Sequence, residues 1–207
     1  MTSEQLQILP LLLVMVMGPQ ILTAIFLVTS EKVVKNSLAM IVGVALAATL
    51  GLTIWSLVVA GIDLKPKESG GGPSTADWIV AGLLALLAVH VWMGRGEAEI
   101  PKWMTALQEA EPRRAFSLGF LLILLMPTDI IATISTANLM HDSGSPAIDG
   151  WPLVAGTTFL MAVPFLAYTL LGERAKRAMP GIKEWLTTHS WLVNLIVIIY
   201  FIYSTLT

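Results

Sequence analysis

The sequence FSLGFLLILLMPTDIIATIST, residues 116–136, decides the fold of this chain. It is an apolar run of the roughly 20 residues that a helix needs to cross a bilayer. Pro127 interrupts the run, and a carboxylate, Asp129, follows two residues later. Proline donates no backbone hydrogen bond and clashes with the preceding turn, so it bends or breaks a helix. These residues therefore predict a transmembrane helix that is broken inside the membrane.

A similar stretch lies in the first half of the chain. Residues 17–25, MGPQILTAI, align with residues 125–133, LMPTDIIAT, so that Pro19 matches Pro127. Each proline lies near the middle of the first apolar block of its half. The small and polar residues around the two prolines are Gly18, Gln20, Thr23, Thr128, Asp129, Thr133, Ser135 and Thr136. The pattern predicts an internal repeat with one broken helix in each half.

The composition of the chain is that of a membrane protein. Of its 207 residues, 56% are hydrophobic and 13% are charged, and the mean hydropathy is +0.77, which is too apolar for a soluble domain of this length. The apolar residues form six blocks, so we predict an all-α integral membrane protein with six transmembrane helices. These helices run over about Leu6–Val28, Leu38–Ile62, Ala76–Met93, Ala115–Ala137, Leu153–Leu171 and Ser190–Thr205.

Several kinds of function are excluded by residues that the sequence lacks. It has no cysteine, which rules out a disulfide framework, a thiolate metal site and a redox-active thiol pair. Its net charge of -2 offers no basic surface to nucleic acid. It contains no Walker-type glycine loop, no HExxH and no GxSxG motif. We therefore expect no enzymatic activity, no cofactor and no bound metal.

The distribution of basic residues predicts the orientation. Ten of the 12 Lys and Arg residues lie in the loops after predicted helices 1, 3 and 5, and the other two are Lys65 and Lys67. Because basic loops stay in the cytoplasm, these three loops are expected there. Six spans then place both termini outside the cytoplasm, with the protein in the plasma membrane.

Each half of the chain holds three predicted helices, so the second half enters the membrane from the opposite side. We divide the chain into a first repeat, residues 1–95, a cytoplasmic linker, residues 96–114, and a second repeat, residues 115–207. Two inverted three-helix repeats are typical of secondary transporters. The linker and residues 174–189 contain amphipathic segments. These are either helices in the headgroup region or ordinary connectors anchored by tryptophan.

The two broken helices predict a polar site where they meet. In hydrocarbon, the carbonyl groups that each proline leaves unpaired must find new partners. We expect this transport site to comprise Gly18, Pro19, Gln20, Thr23, Pro127, Thr128, Asp129 and Thr133. A pair of purely structural kinks is the alternative. Weaker candidates, as cavity-lining residues or as interhelical hydrogen-bonding groups, are Thr49, Thr53, Ser56 and Asn194.

Asp129 is the sharpest candidate, because it is the only acidic residue predicted deep inside a span. A carboxylate at the bilayer centre costs about 2.5–3.5 kcal/mol on insertion scales, so we expect it to face the interior of the helix bundle. There it is a candidate proton carrier or cation ligand. The alternative is a protonated acid that is bonded to a neighbouring helix.

The chain also resembles a known family. Residues 116–136 and residues 159–206, FLMAVPFLAYTLLGERAKRAMPGIKEWLTTHSWLVNLIVIIYFIYSTL, are similar to the GAP/Sap family of sulfolipid- and glycopeptidolipid-addressing proteins. The most specific stretch runs from Pro164 to Arg177. The elements Gly18-Pro19 and Met126-Pro127 resemble the wider lysine-exporter (LysE) superfamily, whose members often have Asn-Pro at these places.

The resemblance implies a six-helix exporter built from two inverted repeats, whose relatives move complex glycolipids toward the cell envelope. Together with the residues, it favours a membrane transporter that exports a lipid or glycolipid, with Asp129 as the proton-coupling group. A small-solute exporter, for an amino acid or a cation, and a non-transporting accessory factor of envelope-lipid assembly are the alternatives. Membrane lipids and the transported lipid or small molecule are the expected partners, and a homodimer is permitted.

Overall fold

The computed structural model describes residues 3–16, 19–62 and 111–189 and, within predicted helices 3 and 6, residues 82, 85–86, 88–89, 92–93, 192, 195–196, 198–199 and 202–203. The regular elements in these residues are all helices, which confirms the predicted all-α fold. Two compact units are present, residues 1–64 with 101–183 and residues 65–100 with 184–207. The division into repeats at residues 95 and 115 stays a prediction.

The helices described in full lie within residues 3–62 and 112–188. In chain order the described helices are α1 (Ser3–Val16), α2 (Pro19–Val28), α3 (Val33–Ile62), α4 (Pro112–Leu125), α5 (Pro127–Asp142), a 3-10 turn (Ala147–Gly150), α6 (Trp151–Leu171) and α7 (Glu173–Thr188). In the second unit, the described residues between 82 and 93 and between 192 and 203 are helical.

Two helical stretches in the described part of the chain are long and apolar enough to cross a membrane, Val33–Gly61 and Ala147–Leu171. Helices α4 and α5 pass the same test only when they are taken together, and they are bent by 61° at the break between them, as in a broken span or a re-entrant loop. By the length and composition of its helices the chain is therefore a membrane protein, as predicted. Six spans stay a prediction, because much of predicted helices 3 and 6 lies outside the described residues.

Both predicted breaks coincide with helix starts. Helix α2 begins at Pro19 and α5 begins at Pro127, the first helical position, where the missing N–H of proline costs nothing. Met126, between α4 and α5, has an extended backbone with φ -70° and ψ 129°. The helix therefore stops for one residue and restarts in a new direction. The predicted limits of helix 4, Ala115–Ala137, were too narrow at both ends.

The predicted start of helix 2 was wrong, since α3 begins at Val33 and not at Leu38. Side chains close the turn before it: Asn36 Nδ2 donates to Ser30 Oγ at 3.1 Å, and Ser30 Oγ donates to Leu27 O at 2.7 Å. These bonds are buried, so the polar residues in the first turn of α3 are part of the helix. The residues between Val33 and Leu38, which include Lys35, therefore belong to α3 and not to the predicted loop.

Two glycines allow α3 and α4 to cross with their backbones in contact. A Cβ atom on Gly119 would lie 2.5 Å from Met40 O, and a Cβ atom on Gly43 would overlap Phe116 O. Small residues at helix crossings are the usual means of close packing in membranes. No larger side chain fits at this crossing without moving one of the two backbones.

The packing of α1 on α6 resembles the packing of α4 on α3. A Cβ atom on Gly156 of α6 would lie 2.6 Å from Leu12 Cδ1 of α1, and one on Gly43 of α3 would lie 3.0 Å from Phe120 N of α4. In the alignment that matches Pro19 with Pro127, Leu12 falls opposite Phe120. Likewise α2 packs on α6, and α5 packs on α3. The matched helices therefore have corresponding packing partners, and the inverted repeat itself stays a prediction.

Helix α7 is the second predicted amphipathic segment. It follows Gly172, whose φ of 55° ends α6 in a conformation that favours glycine. Its apolar stripe is buried at Ala175 and Met179 and exposed at Ile182 and Trp185. The helix itself is thus present, and its place in the headgroup region stays a prediction. The first amphipathic segment, residues 100–110, lies outside the described residues.

Candidate functional site

The starts of α2 and α5 meet in a buried hydrogen bond. Gln20 is the second residue of α2 and Asp129 is the third residue of α5. The amide Nε2 of Gln20 donates to the carboxyl Oδ2 of Asp129 at 2.8 Å. The two prolines account for this geometry, because each one starts a helix inside an apolar run and so places the following polar side chain at a helix end.

Both partners of this bond are removed from the surface. Gln20 is 1% exposed and Asp129 is 0% exposed. Among the buried side chains of the described residues, Asp129 is the only ionisable one. Burying a polar or charged group is costly unless it is hydrogen-bonded. The amide of Gln20 therefore satisfies a carboxyl group that the fold could otherwise hold only at a considerable cost.

The other contacts of the pair are weaker. Thr128 Oγ1 donates to Asp129 Oδ1 at 3.4 Å, which is long for a hydrogen bond between oxygens. Gln20 Nε2 also lies 3.3 Å from Met126 Sδ. The carbonyl Oε1 of Gln20 is buried and has no hydrogen-bond partner among the described residues. The pair therefore retains one strong acceptor that is free for a donor.

The two threonines of the predicted site lie close to the pair, but their hydroxyls bond to their own helices. Thr23 Oγ1 donates to Pro19 O at 2.6 Å. Thr133 Oγ1 donates to Asp129 O at 2.8 Å. Both threonines are buried, so they stabilise the first turns of α2 and α5 and do not donate to the Gln20–Asp129 pair.

The remaining predicted residues are at the edge of this contact. Pro127 and Thr128 are exposed, and Pro19 is half-buried. Gly18 lies outside the described residues, as does Asn194. The structure therefore brings Gln20, Asp129 and the two buried threonines together. Pro127 and Thr128 lie between this buried pair and the surface. The assignment of these residues to a transport site stays a prediction.

A second feature of the first unit is a cleft of about 280 Å³ that opens to the surface. One wall is a face of α3, and the other is the 3-10 turn with the start of α6. The lining residues are Thr49, Leu52, Thr53, Ser56, Leu57, Ala147, Ile148, Trp151 and Val154. Sequence reasoning offered a cavity as one alternative for Thr49, Thr53 and Ser56, and the structure supports that alternative. It missed Ile148 and Trp151, although a tryptophan that opens an apolar helix is a recognisable interfacial signal.

Within the described residues, no group of three or more His, Asp or Glu side chains is arranged to hold a metal ion. Asp129 has an amide and a hydroxyl beside it, and cations in protein sites are usually held by several oxygen ligands. The role of Asp129 as a proton carrier or a cation ligand stays a prediction.

The described residues contain apolar helices of spanning length, two shorter helices that start at prolines and a buried amide–carboxyl pair between those two starts. Together they define a helical membrane protein with an internal polar contact. The chain belongs to the Sap family: the family described as Sap, sulfolipid-1-addressing protein, matches it over residues 8–207. This confirms the predicted family. No curated protein and no solved structure matches the chain. Membership of the LysE superfamily stays a prediction.

Proposed function

We propose that this chain is a membrane transporter that exports a lipid or glycolipid to the cell envelope, with Asp129 as its proton-coupling group. The observation that carries the proposal is the Gln20–Asp129 hydrogen bond between the starts of α2 and α5. Ionisable residues inside membrane proteins are rare and commonly mark transport paths and proton relays. The sulfolipid in the family description supports a lipid as the cargo.

The amide–carboxyl pair has two hydrogen-bonding arrangements. A carboxylate can only accept, so it receives one bond from Gln20 Nε2. A protonated carboxyl group also carries an O–H donor, and the unpartnered Oε1 of Gln20 is available to accept from it. Proton uptake by Asp129 would therefore add a second bond between α2 and α5. Proton release would remove it and loosen the contact.

The two helices that form the pair match in the sequence alignment, which supports an inverted repeat. Broken helices from the two repeats commonly meet at the binding site of secondary transporters. The matched packing of α1 on α6 and α4 on α3 agrees with this arrangement. Export would then involve a change in the angle between the two repeats around the Gln20–Asp129 pair.

The Asp129→Asn variant tests the proton coupling. Asparagine keeps the size of the side chain but carries no exchangeable acidic proton. In vesicles with a pH difference across the membrane, we expect the purified variant to lose at least about tenfold of its proton-driven lipid transport, the scale of removing one essential proton-transfer group. Glu111→Gln is the matched control, because Glu111 is an exposed acid that makes no side-chain bond to the helix that it precedes. Full activity of Asp129→Asn across pH would contradict the coupling.

The same vesicles distinguish the alternative functions. The cleft beside α3 opens among exposed apolar side chains, which favours a lipid over an amino acid or a cation as the cargo. Transport of amino acids without lipid would support the small-solute exporter. Absence of any transport by the purified protein, with recovery of a lipid synthase or a larger lipid transporter in a pull-down, would support the accessory factor.

A further inference from the structure

We propose that the cleft between α3 and the start of α6 binds one acyl chain of a bilayer lipid, which enters sideways from the membrane. The proposal rests on the proposed function in one respect, that the protein handles a lipid, and it adds the place where the lipid binds. The position, the chemistry and the size of the cleft all fit an acyl chain.

The position of the cleft points to the lipid phase. Its α3 wall is formed by one face of a helix that is long and apolar enough to span a membrane. Its rim is formed by Leu57, Ile148 and Trp151, which are 70%, 73% and 53% exposed. Large exposed apolar side chains on a membrane-spanning unit are in contact with lipid tails. A lipid chain is therefore the nearest molecule of matching polarity.

The chemistry of the walls also fits an acyl chain. Thr49 Oγ1 and Thr53 Oγ1 donate to Ala45 O and Thr49 O, each at 2.7 Å, so their donors are already used within α3. The rest of the lining is apolar except for Ser56. The Oγ of Ser56 is buried and has no hydrogen-bond partner among the described residues. This oxygen is inaccessible from the cleft, so the surface that an acyl chain would meet is apolar apart from the two threonine hydroxyls, which are already bonded within α3.

The size of the cleft limits what it can hold. A volume of about 280 Å³ accommodates roughly ten groups of the size of a water molecule or a methylene. This is enough for most of one acyl chain and too small for a sugar headgroup with two chains. The headgroup would therefore remain outside the cleft.

The cleft is specific to one end of the α3–α6 pair. At the opposite end, the space lined by Ala24, Ser37, Met40, Ile41, Met161 and Phe165 has no room for a water molecule. Loose packing along the whole pair would have left space at both ends. The opening beside Trp151 is therefore a local feature of the fold.

The cleft lies next to the helix that carries Asp129. A Cβ atom on Gly150 would lie 3.1 Å from Leu52 Cδ2, which lines the cleft, and 3.2 Å from Thr136 Cγ2 of α5. A Cβ atom on Gly51 would lie 3.6 Å from Thr133 Cγ2. A chain in the cleft would therefore press on residues that contact α5 directly.

Photolabelling tests the site. The full-length protein is placed in nanodiscs of phosphatidylcholine and phosphatidylglycerol that contain a phosphatidylcholine with a diazirine in mid-chain, and labelled residues are located by mass spectrometry. We expect labelling to concentrate on Ile148, Trp151 and Val154. Thr53→Phe, which fills the cleft from an exposed position, should lower this labelling at least fivefold. Ile54→Phe is the control on the neighbouring, exposed face of α3 and should leave it unchanged.

Even labelling of all exposed apolar residues, or no effect of Thr53→Phe in a variant with a normal elution profile, would overturn the proposal. If the cleft is labelled but the Asp129→Asn variant transports normally, the lipid site is supported and only the proton coupling is rejected.

Discussion

At the scale of single residues, the chain depends on one side chain, Gln20, to make a buried acid acceptable. Its amide gives the only short hydrogen bond to the Asp129 carboxyl group among the described residues, at 2.8 Å. The hydroxyl of Thr128 approaches the same group at 3.4 Å from an exposed position. The two hydrogen bonds therefore differ in length, and their donors differ in burial. Removing them should lower the stability by unequal amounts.

We expect Gln20→Leu to lower the free energy of unfolding by about 1–3 kcal/mol, the cost of leaving a buried group without its partner. Thr128→Val removes the long bond to the same carboxyl group and should cost less than about 0.5 kcal/mol. Thermal unfolding in detergent, followed by circular dichroism, measures both variants. Equal losses in the two variants would show that the 2.8 Å bond is not the dominant one.

At the scale of elements, Pro127 and Gly119 determine the course of α4 and α5. Pro127 leaves Met126 outside both helices and gives the pair its 61° bend. Gly119 lets α4 cross α3 with the backbones touching. One residue therefore sets the direction of α5, and the other fixes α4 against its neighbour.

Pro127→Ala should straighten the pair, because alanine supplies the N–H that a continuous helix needs. The chain has no cysteine, so spin labels on Arg113→Cys and His141→Cys report the distance between the ends of α4 and α5 without background. Straightening a 61° bend over helices of this length lengthens the distance by about 6 Å at 1.5 Å per residue. Pro112→Ala, at the start of α4, is the control and should not change it. An unchanged distance in Pro127→Ala would mean that packing holds the bend.

Gly119→Ala should destabilise the protein by about 1–3 kcal/mol, the usual cost of overpacking a tight contact, because the added Cβ atom would meet Met40 O at 2.5 Å. Gly61→Ala is the matched control in α3, where no atom lies within 4 Å of the added Cβ, and helix propensity predicts a gain of up to about 1 kcal/mol. Urea or thermal unfolding in detergent measures both. A neutral Gly119→Ala would show that the two backbones separate easily.

At the scale of the whole molecule, the predicted orientation is testable in cells. Because basic loops stay in the cytoplasm, Lys35→Cys and Arg174→Cys should react with a membrane-impermeant maleimide only after permeabilisation. His141→Cys, in the last turn of α5, should react in intact cells. The reverse pattern would invert the topology, and reaction of all three variants from one side would contradict the number of spans.

Much of the fold and of the site was predictable from local chemistry, and the rest depends on contacts between distant residues. The prolines could be recognised because each lacks an N–H within an apolar run, and Asp129 because a carboxyl group is costly in hydrocarbon. The hydrogen-bond partners of Thr23 and Thr133 were not predictable, since a hydroxyl can bond to its own helix or to a neighbouring one. The crossing at Gly43 and Gly119 depends on residues far apart in sequence.

The crossing of α3 and α4 constrains how the molecule can change shape. Because the backbones touch at Gly43 and Gly119, neither helix can slide past the other without a collision, and the two are expected to move as one rigid body. Helix α3 also forms one wall of the proposed lipid cleft. Any widening of that cleft is therefore expected to come from the 3-10 turn and the start of α6, which form the facing wall.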